Sequence, residues 1–223
     1  PNKQGFDYFY GYTDQRQAHE YYPEYLWKND KKVMLDNANG KQNEYSHDLL
    51  TQEAFKFVKN NQAKPFFLYL AYTIPHVKWQ VPDLGQYAEK DWPEKMKIQA
   101  AMVTRMDRDI GQLKRLLEKL GIAEDTLILF NSDNGAHGQG GTLDFFKTSG
   151  DLKGKKRSMY DGGVRSPQVA YWPNKVPAGT VSKHISAFWD ILPTLSDLTG
   201  EPIKGETDGI SMLPTLLGKP EAQ

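Results

Sequence analysis

The sequence contains no cysteine among its 223 residues, which excludes disulfide bonds, thiolate metal ligands and a cysteine nucleophile within this chain. It also has no net charge, because 28 lysine and arginine residues balance 28 aspartate and glutamate residues. A neutral chain gives no reason to expect nucleic acid or another polyanion as a partner. No apolar run approaches the roughly 20 residues that a membrane span needs. The length is sufficient for one domain with a sizeable core.

The most informative stretch is an apolar run that leads directly into polar and glycine residues, TLILFNSDNGAHGQGG over 126–141. Residues 126–130 predict a buried strand, and Asp133 and Asn134 follow at its carboxyl end. Open α/β sheets bind ligands at this end of their strands, and adjacent carboxylate and amide oxygens suit Ca²⁺ or Mg²⁺. For an Asp-Asn-Gly triplet alone, the simpler interpretation is a tight turn whose side chains bond only the local backbone.

A second apolar run, FFLYLAY over 66–72, predicts a strand that is buried on both faces and leads into His76. Apolar residues then recur at helical spacing from Pro93 to Gly121, which predicts a long amphipathic helix. Strand, helix and strand in this order indicate a βαβ unit with parallel strands. His76 and the Asp133–Asn134 pair are therefore expected to face one cleft, although His76 by itself is more simply a hydrogen-bonded loop residue.

The remaining segments carry weaker signals. Four cations lie close together after the glycine turn, where they would form a positive lip unless they are simply a solvated loop: Lys153, Lys155, Lys156 and Arg157. Arg165 is expected to pair with a neighbouring carboxylate. Further predicted elements are a helix over 46–60 with Ser46 as its N-cap, a turn at Asp161–Gly163, a strand over 168–173 and a helix over 187–200. Residues 1–45 predict irregular surface, in which aromatic side chains anchor a long loop.

Several of these stretches, taken in order, resemble the sulfatases of the alkaline-phosphatase superfamily, especially the bacterial arylsulfatase-type members. They are GFDYFYGY (5–12), PFFLYLAYTIPH (65–76), TLILFNSDNG (126–135), LKGKKRSMYDGGVRSP (152–167), FWDILPTL (188–195) and DGISMLPTLLG (208–218). The ordered set covers nearly the whole chain. The resemblance implies an α/β fold, part of an alkaline-phosphatase-like three-layer αβα domain with a mostly parallel central sheet.

The resemblance also implies roles for individual residues. Asp133 and Asn134 match one pair of metal ligands, usually for Ca²⁺ and sometimes for Mg²⁺. His76 matches the histidine that hydrogen-bonds the bridging oxygen of the sulfate ester and assists departure of the alcohol. Lys156 matches the lysine that contacts the sulfate, and its neighbour Lys155 is the less favoured candidate.

These residue types suit hydrolysis of a sulfate ester. Charge builds on the leaving oxygen and on the sulfuryl oxygens, so a metal and an ammonium group stabilise them while a protonated histidine supplies a proton. His137 and Arg157 lie near these residues in the sequence and are candidates for contact with the substrate. The expected partner is a small-molecule or carbohydrate sulfate ester, and the oligomeric state is open.

Some parts of the family pattern have no match in this chain. The family nucleophile is a formylglycine made from Cys or Ser in a Cys/Ser-x-Pro-x-Arg motif, and residues 1–223 contain no such motif. The paired aspartates that supply the other metal ligands are also absent. We therefore expect one incomplete sulfatase catalytic domain that lacks its N-terminal part and its C-terminal subdomain and is inactive alone. The parent protein is expected to be periplasmic or secreted, as bacterial members commonly are.

Two other functions are compatible with the same pattern. Phosphate or phosphonate ester hydrolases of this superfamily also use oxygen-rich metal sites, and a plain Thr or Ser nucleophile with a second metal site would distinguish them. A non-catalytic homologue is the second alternative. Retention of His76, Asp133, Asn134 and Lys156 together argues against it.

Overall fold

The computed structural model describes residues 1–219, which form two compact units. The first unit comprises Pro1–Leu120 and Gly138–Thr148, and the second comprises Gly121–His137 and the residues from Ser149 onward. Within the described part of the chain, no helix has the length and apolar character needed to cross a membrane.

The first unit begins with a small antiparallel sheet of three strands: β1 (Tyr10–Gly11), β2 (Tyr25–Lys28) and β3 (Lys31–Met34). A two-residue turn joins β2 to β3, and Asn29 adopts the left-handed conformation there, with φ 55°. Asparagine tolerates this conformation, which such hairpin turns require. The prediction of irregular structure over 1–45 is wrong for these strands, because segments of two to four residues are too short to show a periodic pattern.

Three helices follow in the first unit: α1 (Ser46–Asn61), α2 (Glu94–Lys119) and α3 (Thr142–Phe146). The two long predicted helices, α1 and α2, are confirmed. Ser46 is the first residue of α1 rather than its N-cap, a position that Tyr45 occupies. Gly121 has φ 71° just beyond α2, as expected of a glycine after a helix.

Aromatic side chains from the N-terminal segment form much of the core of the first unit. Tyr21 and Tyr45 are 0% and 4% exposed, and they pack with Ile74 and Met102 of α2. The predicted anchoring role of these aromatics is therefore confirmed. The same packing joins the segment before α1 to the loop that contains His76, because Ile74 belongs to that loop.

A buried hydrogen bond between side chains links α1 to α2. Nε2 of His47 lies 3.0 Å from Oδ2 of Asp109, and both side chains are almost completely buried. Nε of Arg108 donates to the other carboxylate oxygen at 2.8 Å. Burial acts to raise the pKa of Asp109, but the hydrogen bonds from His47 and Arg108 outweigh it and lower that pKa to about 2. The carboxylate is thus held ionised between the two helices.

The segment 66–72 does not form the predicted strand. Its side chains alternate, since Phe66 is half-buried and packs edge-to-face on Phe57, whereas Phe67 and Tyr69 are 56% and 70% exposed. A strand also needs a neighbour with which to exchange backbone hydrogen bonds, and no ladder to this segment exists among residues 1–219. The expectation of a strand buried on both faces is therefore wrong, as is the parallel pairing inferred from it.

Up to residue 219, where the described part of the chain ends, the second unit has two strands and three short α-helices. In chain order these are β4 (Ile128–Asn131), α4 (Asp161–Val164), β5 (Gln168–Tyr171), α5 (Ile191–Thr199) and α6 (Leu213–Leu216). Strands β4 and β5 pair antiparallel along their whole length. Both were predicted as strands, and their ends differ by about two residues from the prediction, as is usual for boundaries.

Helix α5 is also confirmed. A single 3₁₀ turn over Phe188–Asp190 precedes it, and Gly200 ends it with φ 74°. The Asp190 carboxylate accepts hydrogen bonds from the backbone N–H groups of Ala187 and Ile210 at 2.7 and 2.9 Å. Asp190 therefore ties the start of this helix to the segment before α6. The turn predicted at 161–163 is instead the single helical turn α4.

The buried pair between α1 and α2 predicts a pH dependence of stability. Replacing Asp109 with Asn should lower the free energy of unfolding near neutral pH by about 2 kcal/mol, because the carboxyl pKa is about 2 in the folded chain and about 3.9 when unfolded. A lowered pKa contributes stability above the unfolded value, and that contribution is lost as the pH falls through the folded value. The penalty of Asp109→Asn should therefore shrink between about pH 4 and about pH 2.

Urea unfolding at several pH values measures this penalty. Asp107→Asn is the matched control, since Asp107 is exposed on the same helix and its replacement should change stability by less than about 0.5 kcal/mol. A penalty for Asp109→Asn that is the same at neutral pH and at about pH 2 would contradict the prediction.

Candidate active site

The turn after β4 carries the two predicted metal ligands. Ser132 begins it and is held by main-chain and side-chain bonds: its N–H donates to the Pro167 carbonyl at 3.3 Å, and its carbonyl accepts from the Ser166 hydroxyl at 2.7 Å. Asp133 is exposed and Asn134 is half-buried. The loop before β5 thus fixes the entrance to this turn.

The two candidate ligands present oxygen atoms of different kinds. Nδ2 of Asn134 donates to the Gly135 carbonyl at 3.1 Å, which leaves the amide oxygen as its acceptor atom. The Asp133 carboxylate makes no ion pair or hydrogen bond to any of the described residues. Ca²⁺ takes about six to eight oxygen ligands, so these two side chains fit part of such a site. No cluster of three or more histidine or acidic side chains suited to a metal occurs within residues 1–219.

Glycines allow this turn to lie directly against the loop that carries Lys156. A Cβ atom on Gly135 would lie 2.2 Å from the carbonyl oxygen of Gly162, and one on Gly162 would lie 2.3 Å from that of Gly154. A Cβ on Gly163 would lie 2.2 Å from the Ser158 carbonyl oxygen. No other amino acid fits these positions without movement of the backbone.

Hydrogen bonds across the same contact hold the two loops together. The Gly135 N–H donates to the Gly163 carbonyl at 3.0 Å, and the Lys156 N–H donates to the Ala136 carbonyl at 2.7 Å. The main chain of Lys156 is therefore bonded to the residue that lies two positions after Asn134. The structure brings Asp133, Asn134 and Lys156 into one region of the second unit.

Lys156 differs from the other cations of its loop. It is half-buried, whereas Lys153, Lys155 and Arg157 are exposed. The Lys153 ammonium lies over the Tyr160 ring, 4.0 Å from its centroid, which gives that cation a local partner. Burial thus distinguishes Lys156 from Lys155, the neighbour that the sequence left as a second candidate.

The other two candidates for substrate contact also lie in the second unit. Arg157 adopts a left-handed backbone conformation with φ 76° directly after Lys156. His137 is half-buried at the end of the segment that contains Asp133. The predicted pairing of Arg165 is confirmed, because its guanidinium lies 3.6 Å from the Asp161 carboxylate.

His76 belongs to the first unit, in the loop after the extended segment 66–72. Its Nδ1 lies 2.6 Å from the Val77 carbonyl oxygen. A carbonyl oxygen can only accept a hydrogen bond, so Nδ1 must carry a proton in this contact. The prediction that His76 faces the same cleft as Asp133 and Asn134 stays a prediction.

Two residues near His76 were missed by sequence reasoning. The His19 ring meets the His76 ring edge-to-face with centroids 4.8 Å apart, and the Tyr21 hydroxyl donates to the His76 carbonyl at 2.6 Å. Tyr21 lies 55 residues before His76 in the chain. No spacing rule connects residues that far apart, so only the fold reveals the contact.

Comparison with known proteins assigns the chain to a family. A family model described as "Sulfatase" matches residues 1–201. The chain is similar to human steryl-sulfatase, with 33% identity over 202 residues that cover 83% of the chain and 33% of the relative. It is also similar to the uncharacterized sulfatase YdeN of Escherichia coli, with 34% identity over 229 residues that cover 100% of the chain and 39% of the relative. The chain thus spans between a third and two fifths of the length of these relatives.

Solved structures confirm the predicted α/β, alkaline-phosphatase-like fold. The crystal structure of Ps i-CgsB superposes with a TM-score of 0.82 and 32% identity, covering 98% of this chain and 51% of that one. The PsFucS1 sulfatase from Pseudoalteromonas superposes with a TM-score of 0.75 and 27% identity, covering 97% of this chain and 48% of that one.

The close backbone packing within the loop of Lys156 predicts a large effect of one methyl group. Gly162→Ala should lower the free energy of unfolding by at least about 2 kcal/mol, because the new Cβ would overlap the backbone of Gly154. Gly111→Ala is the matched control in α2, where a Cβ would meet only the Arg115 side chain at an ordinary 3.5 Å. The control should stabilise the chain by about 0.5–1 kcal/mol. Urea unfolding compares the two variants, and equal stabilities would refute the packing argument.

Proposed function

This chain belongs to the sulfatase family, and from that membership we propose that the protein containing it hydrolyses a sulfate ester of an aryl or carbohydrate substrate. One observation carries the proposal. The Asp133–Asn134 turn is bonded through its backbone to the loop of Lys156, the half-buried cation of that loop. This bonding keeps the oxygen atoms proposed to bind a cation in the same region as the ammonium group proposed to bind an anion. Hydrolysis of a sulfate ester needs both, because negative charge develops on the sulfuryl and leaving oxygens.

Each residue has a distinct role in this proposal. The Lys156 ammonium binds the sulfuryl oxygens and stabilises the charge that they carry in the transition state. His76 donates a proton from Nε2 to the leaving oxygen while its Nδ1–H stays bonded to the Val77 carbonyl. Asp133 and Asn134 would hold part of a Ca²⁺ site, with Mg²⁺ as the alternative, and the ion would supply positive charge for binding the sulfate.

The nucleophile is proposed to be a formylglycine that residues 1–223 do not supply, because they contain neither cysteine nor a Ser-x-Pro-x-Arg motif. His137 and Arg157 are proposed to contact the substrate beside Lys156. Carbohydrate substrates gain support from a structural neighbour at 32% identity, whose crystal structure contains k-i-k-neocarrahexaose. We propose a periplasmic or secreted location for the parent protein.

The metal site predicts a calcium affinity that depends on Asp133. Asp133→Asn should weaken Ca²⁺ binding by at least about tenfold, because it removes the charged ligand of the pair. Isothermal titration calorimetry with CaCl₂ measures the affinity of the 223-residue chain, which should be weak because the ligand set is partial. Asp151→Asn is the control, since Asp151 is an exposed carboxylate of the same unit. Equal affinities of the wild type and Asp133→Asn would place the cation elsewhere.

The proposed roles of His76 and Lys156 predict that their replacement will lower kcat to different extents for different substrates. In the full-length protein, His76→Gln should lower kcat by about 10²–10⁴-fold for an alkyl or carbohydrate sulfate and much less for nitrophenyl sulfate, whose leaving group needs no proton. Lys156→Met should lower kcat for both substrates by about 10²–10³-fold. Lys155→Met and His184→Gln are the controls, because Lys155 is the exposed neighbour of Lys156 and His184 is a half-buried histidine of the second unit with no proposed role. Both should keep activity near that of the wild type.

Assaying the 223-residue chain alone for sulfate ester hydrolysis tests whether the nucleophile lies outside these residues. We expect none with an aryl sulfate and Ca²⁺, because the proposed nucleophile is not among these residues. Turnover by this chain that is lost in both His76→Gln and Lys156→Met would refute the proposed nucleophile. Hydrolysis of phosphate esters but not of sulfate esters by the full-length protein would instead favour the phosphohydrolase alternative.

A further inference from the structure

Three consecutive residues of the N-terminal segment contact the loop that carries His76. The segment is His19–Tyr21, at the end of a 3₁₀ turn over Gln17–His19. The Glu20 carboxylate forms an ion pair with the Lys78 ammonium. With the contacts of His19 and Tyr21, all three side chains of the segment touch residues on or beside the loop of His76.

Tyr21 holds the main chain of the loop. Its side chain is completely buried, and its ring packs against Tyr45 with centroids 5.8 Å apart. The hydroxyl lies 3.0 Å from the Thr73 carbonyl oxygen and 2.6 Å from that of His76. One hydroxyl hydrogen is therefore shared between two carbonyl groups, and the His76 N–H closes the same turn by donating to the Thr73 carbonyl at 3.1 Å.

His19 holds the ring of His76. Its own Nδ1 lies 2.8 Å from the Gln15 carbonyl oxygen, so this nitrogen also carries a proton and the orientation of the His19 ring is set. The two imidazole planes meet at 77° with centroids 4.8 Å apart. Rotation of the His76 ring about its χ2 angle would break both this edge-to-face contact and the bond from Nδ1 to the Val77 carbonyl.

Neighbouring contacts keep the segment itself in place. The Tyr12 hydroxyl donates to the Glu20 carbonyl at 2.7 Å, and the Tyr21 N–H donates to the Gln80 side-chain oxygen at 3.4 Å. The Tyr45 hydroxyl donates to the Gln80 carbonyl at 2.7 Å. The segment is thus attached to the chain on both sides of the loop, which makes it a rigid support rather than a flexible cover.

We infer that His19 and Tyr21 are positioning residues for His76: Tyr21 fixes the main chain of its loop, and His19 keeps its ring in the orientation in which Nδ1–H bonds the Val77 carbonyl and Nε2 is the nitrogen of the proposed proton transfer. The role of that proton rests on the proposed function, whereas the positioning itself does not. Neither residue is required to touch the substrate.

The test uses the tautomer of His76 in the 223-residue chain. Two-dimensional NMR of the imidazole ¹⁵N nuclei distinguishes a ring protonated on Nδ1 from one protonated on Nε2, and His76→Gln identifies the His76 signals among the five histidines. We expect the neutral His76 ring to be protonated mainly on Nδ1. Tyr21→Phe should shift the tautomer population toward Nε2–H and speed exchange of the His76 amide hydrogen by at least about tenfold, since the turn loses a buried hydrogen bond.

Matched variants separate positioning from a general loss of stability. Tyr22→Phe is the control for Tyr21, because Tyr22 also packs on Tyr45 but its hydroxyl bonds to none of the described residues; both NMR readouts should stay as in the wild type. His19→Ala should shift the tautomer, and His19→Phe should restore it by replacing the ring. If Tyr21→Phe fails to fold, the two His19 variants decide the question.

The outcomes separate this inference from the proposed function. An unchanged His76 tautomer in both Tyr21→Phe and His19→Ala would overturn the positioning role, whatever reaction the full-length protein catalyses. The expected NMR changes in a protein that cleaves no sulfate ester would support the positioning role and reject the proposed function.

Discussion

Direct contact between two stretches of backbone is the constraint on which the candidate site of the second unit depends. The turn of Asp133 and Asn134 and the loop of Lys156 touch through Gly135, Gly162 and Gly163, with no side chain between them. Because a Cβ on Gly135 would overlap the Gly162 carbonyl oxygen, the turn and the loop can lie this close together only with glycine at position 135. The hydrogen bond from the Lys156 N–H to the Ala136 carbonyl then sets the register of the two loops.

In the first unit, side chains rather than backbone contacts hold the functional loop in place. The loop of His76 is held by a buried tyrosine hydroxyl, an ion pair and a ring contact, all from His19–Tyr21. Functional groups on loops need such support, because a loop by itself has no regular hydrogen-bond ladder to define its conformation. The aromatic core of this unit therefore contributes to stability and also determines the orientation of one proposed catalytic group.

The charges of the second unit are distributed unevenly in a way that suits a ligand. Asp161 is already paired with Arg165, whereas the Asp133 carboxylate has no partner among the described residues. Lys156 is half-buried while the cations beside it are exposed. Binding a cation would therefore stabilise the Asp133 carboxylate, which has no partner among the described residues. Binding an anion would likewise stabilise the partly desolvated Lys156 ammonium group.

Local patterns were enough to predict α1, α2, β4, β5 and α5, because the hydrogen bonds and apolar spacing that define such elements lie within a few residues of each other. The same patterns, with the ordered motifs, identified the sulfatase family and proposed Asp133, Asn134, His76 and Lys156. Local patterns failed for the segment 66–72. An apolar run cannot show whether a neighbouring strand is present to exchange backbone hydrogen bonds with it. Tertiary structure added burial as a second reason to prefer Lys156 over Lys155. It alone revealed His19 and Tyr21 beside His76, since such contacts join residues that are far apart in sequence and meet only when the chain is packed.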